Sequence, residues 1–169
     1  MPVDPTTLSE VPQNSAVIVL LEEATDSLIL TQRSADLRHH PGEICFPGGL
    51  WQAEDKSFWE TALRELREEL GIESSRVRLL KQMNTEQTLA GMIIHPWLAS
   101  ISSLIPYNAN AREVSAVLTI PLHEISQAQN YKDIIIQRDD NLIPSVQFTA
   151  CHYFIWGATV RIMKQLIKY

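Results

Sequence analysis

Apolar and polar positions along this chain recur with two different periods. Ala16-Val17-Ile18-Val19-Leu20-Leu21 is a short, unbroken, β-branched run, the pattern of a buried strand. Ser27 to Gln32 predicts a second strand, and the polar stretch Glu22 to Asp26 predicts a hairpin between them. Val77 to Met83 and Met92 to Ser100 predict two more. Tyr131 to Arg138 and Ser145 to Phe148 predict a strand pair around the turn-forming Asp139-Asp140-Asn141. The helical period takes over from Ser57 to Leu70, where Leu63, Leu66 and Leu70 form one apolar stripe. It returns from Trp156 to Lys168 in Val160, Met163, Leu166 and Ile167. Pro121 opens a short predicted helix that runs to Gln129. Strands with two main helices predict a layered α/β domain.

The helix over Ser57 to Leu70 carries its own boundary signals. Ser57 followed by Glu60 is a capping box, and Gly71 stands where a helix end needs a residue tolerant of positive φ. Its polar side is unusual. Glu65, Glu68 and Glu69 stand at i, i+3 and i+4, which places them on one face. Carboxylates so close repel one another unless a cation neutralises them, and Mg²⁺ favours hard oxygen ligands of this kind. Acidic helix faces also occur as plain solvated surface. Upstream, however, Phe46-Pro47-Gly48-Gly49 offers paired glycines that let backbone approach a ligand, and their carbonyls can join the carboxylates around a metal. Arg64 flanks the acids and can hold them in position; Arg67 reads as surface charge.

Composition narrows the classes. The 169 residues suffice for one domain with a real core. Met1 to Asn14 is polar and Pro-containing, which predicts a loose arm ahead of a single domain over 15–169. The arm lacks the basic start and apolar core of a signal peptide. No apolar run approaches the ~20 residues of a spanning helix, so no membrane partner is expected. A net charge of −6 argues against general nucleic-acid binding but admits a small phosphate ligand. Cys45 and Cys151 are too few for a disulfide framework and lack metal spacing. Both are expected reduced, in a cytoplasmic protein. The oligomeric state stays open, a homodimer included.

The segment GGLWQAEDKSFWETALRELREELGI resembles the Nudix box, G-x5-E-x7-R-E-U-x-E-E-x-G-U with U apolar. Arg64, Glu65, Leu66, Glu68, Glu69, Gly71 and Ile72 fit its second half. In the first half Gly49 lies one residue too far from Arg64, and Lys56 falls where the earlier Glu belongs. Either Glu54 or Asp55 is in place to substitute. The insertion resembles the coenzyme A pyrophosphatase branch of the Nudix hydrolases. So does the upstream run Leu28-Ile29-Leu30-Thr31-Gln32-Arg33, followed by Leu37-Arg38-His39-His40-Pro41-Gly42-Glu43-Ile44-Cys45-Phe46-Pro47-Gly48-Gly49. Glu113-Val114, Pro121-Leu122 and Ile155-Trp156-Gly157-Ala158-Thr159 are similar to later landmarks of that branch. Leu50, Trp51 and Gln52 depart from its usual residues.

The resemblance implies the Nudix α/β/α sandwich, with a mixed sheet and a loop-helix-loop metal motif. It implies metal-dependent hydrolysis of the pyrophosphate bond of coenzyme A or its derivatives, giving 4′-phosphopantetheine and adenosine 3′,5′-bisphosphate. Alternatives are a Nudix hydrolase of ADP-ribose, a dinucleotide or a nucleoside triphosphate, and a Nudix module that binds nucleotides without cleaving them. Glu65, Glu68 and Glu69 are the expected ligands of Mg²⁺ or Mn²⁺, with Arg64 orienting a carboxylate. Glu68, Glu113 and Glu86 are candidates for the general base. Arg33, Arg38, His40, Gly48 and Gly49 are the expected substrate-binding residues, because arginine forks match phosphate oxygens.

Overall fold

A computed structural model describes residues 12–167. Of the expected loose arm, residues 1–11 lie outside the described part; at its far end Asn14 already belongs to the first strand. The chain runs β1 (Asn14–Glu22), β2 (Ser27–Arg33), β3 (Ile44–Cys45), β4 (Gly48–Leu50), α1 (Phe58–Leu70), β5 (Val77–Gln82), β6 (Glu86–Gln87) and β7 (Ile93–Ile101). It continues through β8 (Val114–Pro121), α2 (Leu122–Ile125), β9 (Tyr131–Arg138), β10 (Asn141–Phe148), β11 (Ile155–Trp156) and α3 (Ala158–Lys164).

β1 is the central strand. It runs parallel to β7 and antiparallel to β2 and β4, so the main sheet is mixed. β8 flanks β2 on one side, and β5 and β6 flank β7 on the other. The apolar run of β1 has a simple cause: both faces of the strand are covered. Ala16, Ile18 and Leu20 pack against Ala62, Leu66 and Leu70 of α1. Val19 faces the other way, into a core shared with Leu28 and Leu30 of β2, Met163 of α3, and Phe148 and Ile155. A second, three-stranded sheet, β11-β10-β9, completes that side. The layered α/β domain expected from the pattern is therefore present, with the mixed sheet that the resemblance implies.

Several boundaries differ from expectation. The last helix begins at Ala158, because Trp156 pairs with Gln147 as part of β11. Lys168, its expected end, lies outside the described residues. β10 reaches back to Asn141, so the turn is only Asp139-Asp140, with Asp139 at φ 52°. Pro121 closes β8 instead of opening a long helix, and α2 ends at Ile125. β3, β4, β6 and β11 are too short to leave a period in the sequence.

α1 is terminated as its sequence demands. Ser57 Oγ accepts from Glu60 N at 3.1 Å, and Glu60 Oε2 reaches back to Lys56 N at 2.9 Å. Gly71 takes φ 64° and donates its N–H to Arg67 O at 2.9 Å. A Cβ at Gly71 would also stand 3.3 Å from Asn108 O. Gly71→Ala is expected to destabilise by about 1–2 kcal/mol, the left-handed penalty of an L side chain, or a melting point lower by roughly 2–8 °C. An unchanged melting point would show that the cap does not hold this helix end.

Candidate functional site

The register of β4 on β1 sets the site. Ala16 pairs with Gly49 and Val17 with Gly48, while Ile18 N donates to Pro47 O at 2.9 Å. This holds the glycine pair beneath α1. A Cβ on Gly49 would lie 2.5 Å from the Glu65 carboxylate. A Cβ on Gly48 would lie 2.3 Å from Ala16 O. Glycine at 49 lets β4 approach α1 this closely, and glycine at 48 lets it approach β1. The Gly48 N–H is directed at the Glu69 carboxylate, where it favours the charged form.

The other wall is the loop before β8. Asn108 N donates to Leu70 O, and Asn110 N to Glu69 O, each at 2.8 Å. These bonds satisfy carbonyls left open at the end of α1 and pin the loop there. Glu113 N and Val114 N then return to Asn110 O, at 2.9 and 2.8 Å. Glu113 is thereby presented to the helix. Carboxylate oxygens of Glu65, Glu69 and Glu113 all lie within 4.8 Å of one another.

Their closeness disfavours the ionised forms of Glu65 and Glu69. Burial, followed by the Glu65 charge, pushes Glu69 up to about 8. Burial also raises Glu65, while its bond to Arg64 opposes the rise. Oxygen ligands in this number and closeness suit a hard divalent cation.

Arg64 organises the acids from behind. Its Nε and Nη2 form a fork on Asp55, both at 3.0 Å. Nη2 also donates to Leu50 O at 2.9 Å, and Nη1 to Glu65 at 2.9 Å and to Glu68 at 3.3 Å. Asp55 accepts further bonds from Thr61 Oγ1 and Gln52 N. Of the two acids able to replace the one missing from the motif, Asp55 thus takes the place, and Glu54 is exposed.

The Arg64 fork lowers the Asp55 carboxyl to about 2. Its folded value lies below the ordinary ~3.9, so this pair stabilises the fold above pH ~4 and the contribution is lost as pH falls toward 2. The Asp55 side chain is only 6 % exposed, so screening is modest. Asp55→Asn is expected to cost about 1–3 kcal/mol at pH 7 and to lose that difference by pH 2. Denaturant titrations of both proteins across this range test it; a difference independent of pH would remove the Asp55 charge from the account.

The remaining predicted residues divide. Glu68 shares the acidic helix side but stands outside the trio, half exposed and held by Arg64. Arg67 is a surface residue paired with Glu73 at 3.3 Å. Arg33 Nε donates to His39 O at 3.1 Å, and its charge is near enough to Glu69 to favour that carboxylate. Arg38 is exposed on the same loop. His40 takes φ 51° and contacts Glu43 at 3.2 Å. Glu86 is engaged elsewhere, by Arg161 Nε at 3.0 Å. The Asn108 to Asn110 anchor escaped the sequence, since it acts through backbone groups.

Comparison with known proteins agrees with this architecture. The family model for the NUDIX domain matches residues 12–138. A protein from Photorhabdus laumondii named "Uncharacterized Nudix hydrolase NudL" is 30 % identical over 169 residues, covering 99 % of this chain and 90 % of its own. A protein of the same name from an Enterobacter species is 32 % identical over 156 residues, covering 91 % and 80 %. Among solved structures, DR0079 from Deinococcus radiodurans superposes with a TM-score of 0.63 over 97 % of this chain and 90 % of that one, at 14 % identity.

Proposed function

This chain belongs to the Nudix family of hydrolases that act on pyrophosphate bonds, and we propose that its substrate is coenzyme A or a derivative. The products are 4′-phosphopantetheine and adenosine 3′,5′-bisphosphate. The observation that carries this reading is the course of the segment Leu37 to Gly49. It folds back on β2 through Arg33 N to Glu43 O, 2.8 Å, and Gly42 N to Arg33 O, 3.1 Å. One end of the segment is the glycine pair under Glu65, and Arg33, just ahead of its other end, lies near enough to Glu69 to favour that carboxylate. The sequence signature is thus one side of the carboxylate site.

Nudix hydrolases use divalent metals, and the residues here fit one: Glu65, Glu69 and Glu113 converge, and Gly49 leaves no room for a side chain beside Glu65. Mg²⁺ or Mn²⁺ bound there supplies charge neutralisation for the diphosphate and a more acidic bound water. The chain's own residues do the rest. Arg64 orients Glu65 and Glu68. Because Glu113 is drawn into the trio, it serves as a ligand and not as the free base. Glu68, at the rim and exposed, is the carboxylate placed to accept a proton from the attacking water. Arg33 and Arg38 meet phosphate oxygens, Arg38 the 3′-phosphate of the nucleotide. No helix among the described residues is long and apolar enough to cross a membrane.

Mass analysis of products after incubation with coenzyme A and Mg²⁺ or Mn²⁺, beside ADP-ribose and a nucleoside triphosphate, tests the substrate. Release of 4′-phosphopantetheine with clear preference for coenzyme A is expected. Cleavage of only the other compounds would retain the reaction and discard the substrate. Arg38→Ala is expected to raise KM roughly tenfold for coenzyme A and far less for its 3′-dephospho form, as for one charge-assisted contact of about 1.5–3 kcal/mol. Equal losses would remove Arg38 from 3′-phosphate recognition.

A further inference from the structure

β8 is an edge strand: among the described residues it pairs with β2 alone. Leu122 N donates to Asp26 O at 2.9 Å, just beyond the register pair Ser27 and Pro121. Bonding direction alternates along an antiparallel ladder. Ile120 and Leu118 therefore bond inward to Leu28 and Leu30, and the N–H and C=O of Val117 and Thr119 point to the free edge. No backbone hydrogen bond among the described residues joins that edge to another segment.

The edge is also one wall of a cleft of about 390 Å³, within the roughly 300–1,000 Å³ of small-molecule sites. Val117 to Ile120 form this wall; Ala150, Cys151, His152 and Tyr153 face it. Cys151 Sγ bonds to Tyr153 O at 3.4 Å within that opposite wall. The lining is mainly apolar. An occupant should be slender, partly apolar, and able to satisfy alternating backbone donors and acceptors.

Glu113 of the carboxylate trio immediately precedes β8, so the strand leads from that site to the cleft wall. Val117 lies three residues beyond Val114, roughly 10 Å along the strand. We infer that the cleft between the β8 edge and residues 150–153 holds the pantetheine arm of the substrate, its two amides pairing with the backbone of Val117 and Thr119 as an added strand would. The inference rests on the coenzyme A reading above. Pantetheine suits the site on length and chemistry. Its chain of about twelve atoms equals the backbone of about four residues, roughly 14 Å extended. It is an amide chain ending in a soft thiol, and the far wall offers apolar contact at Ala150 and Tyr153.

Two measurements test this together. The first is titration of ¹⁵N-labelled protein with free pantetheine, which carries no phosphate. Amide shifts at Val117, Thr119 and 150–153 are expected. The second uses Ala150→Trp, which adds bulk to the cleft from its far wall. This variant is expected to weaken inhibition by 4′-phosphopantetheine roughly tenfold, the size of one lost hydrogen bond with its contacts, and inhibition by adenosine 3′,5′-bisphosphate less than twofold. If coenzyme A is cleaved but pantetheine shifts other amides, or none, the cleft assignment is overturned and the substrate stands. Equal weakening of both products in a folded variant also overturns it. If coenzyme A is not cleaved at all, the substrate reading fails and this inference with it.

Discussion

Glu69→Gln is expected to abolish activity by roughly 10³-fold while making the metal-free protein more stable at alkaline pH. Both effects come from one buried charge. The Glu69 side chain is buried beside Glu65, and its carboxyl titrates near 8. Folded and unfolded chains therefore differ: an ordinary Glu titrates at ~4.3. With the folded value raised, the favourable contribution is complete below pH ~4 and is lost as pH rises toward 8. In the presence of a chelator, the wild-type melting temperature should fall over that window. Gln has the same shape and keeps an oxygen to accept from Gly48 N–H. It can also donate to Glu65 and Glu113. The variant should melt roughly 2–4 °C higher than wild type at pH 8.5 without metal, which corresponds to about 1 kcal/mol. Activity goes the other way: with Glu69 as the proposed ligand, losing its charge removes several kcal/mol of charge stabilisation, and each 1.36 kcal/mol is tenfold. A variant less stable than wild type without metal, or one retaining most turnover, would contradict this assignment.

Gly49→Ala should lose at least roughly 10²-fold in turnover for a purely steric reason. The added methyl would stand 2.5 Å from the Glu65 carboxyl carbon and 2.5 and 2.9 Å from its oxygens. Those atoms must move about an ångström to restore ordinary contact, and displacements of that size cost about 10²-fold in positioned chemistry. Glu65 cannot retreat freely, since Arg64 holds it at 2.9 Å and Asp55 in turn holds Arg64. Backbone conformation is not the obstacle, because Gly49 is not among the positive-φ residues. Melting temperature should therefore fall only modestly while metal affinity and turnover fall together. Wild-type turnover in a folded Gly49→Ala protein would mean that Glu65 adapts and that the close approach has no functional weight.

Much of this architecture was legible in the sequence where the physics is local. The β1 run declared a strand covered on both sides, and Ser57 and Gly71 marked the ends of α1 because capping needs only neighbouring residues. The acidic repeat put Glu65, Glu68 and Glu69 on one helix face for the same reason. Glu68 shows the limit of that reasoning. Helical spacing places it with the others, but which carboxylates converge depends on the loop opposite, and that loop brings Glu113. Asp55 was one of two candidates until the Arg64 fork distinguished it. Trp156 has a place in the apolar period of the last helix, yet pairing with Gln147 draws it into β11. Long-range pairing decided each of these.

The most direct test of the carboxylate centre is Mn²⁺ titration, followed by calorimetry, of wild type, Glu69→Gln and Glu113→Gln. Binding to wild type should release protons and tighten as pH rises from 6 toward 8, because the cation displaces the proton held on Glu69. Each variant should bind at least tenfold more weakly, with less proton release in Glu69→Gln. Wild-type affinity in both variants would show that the metal is held elsewhere and that the convergence of Glu65, Glu69 and Glu113 is not the reaction centre.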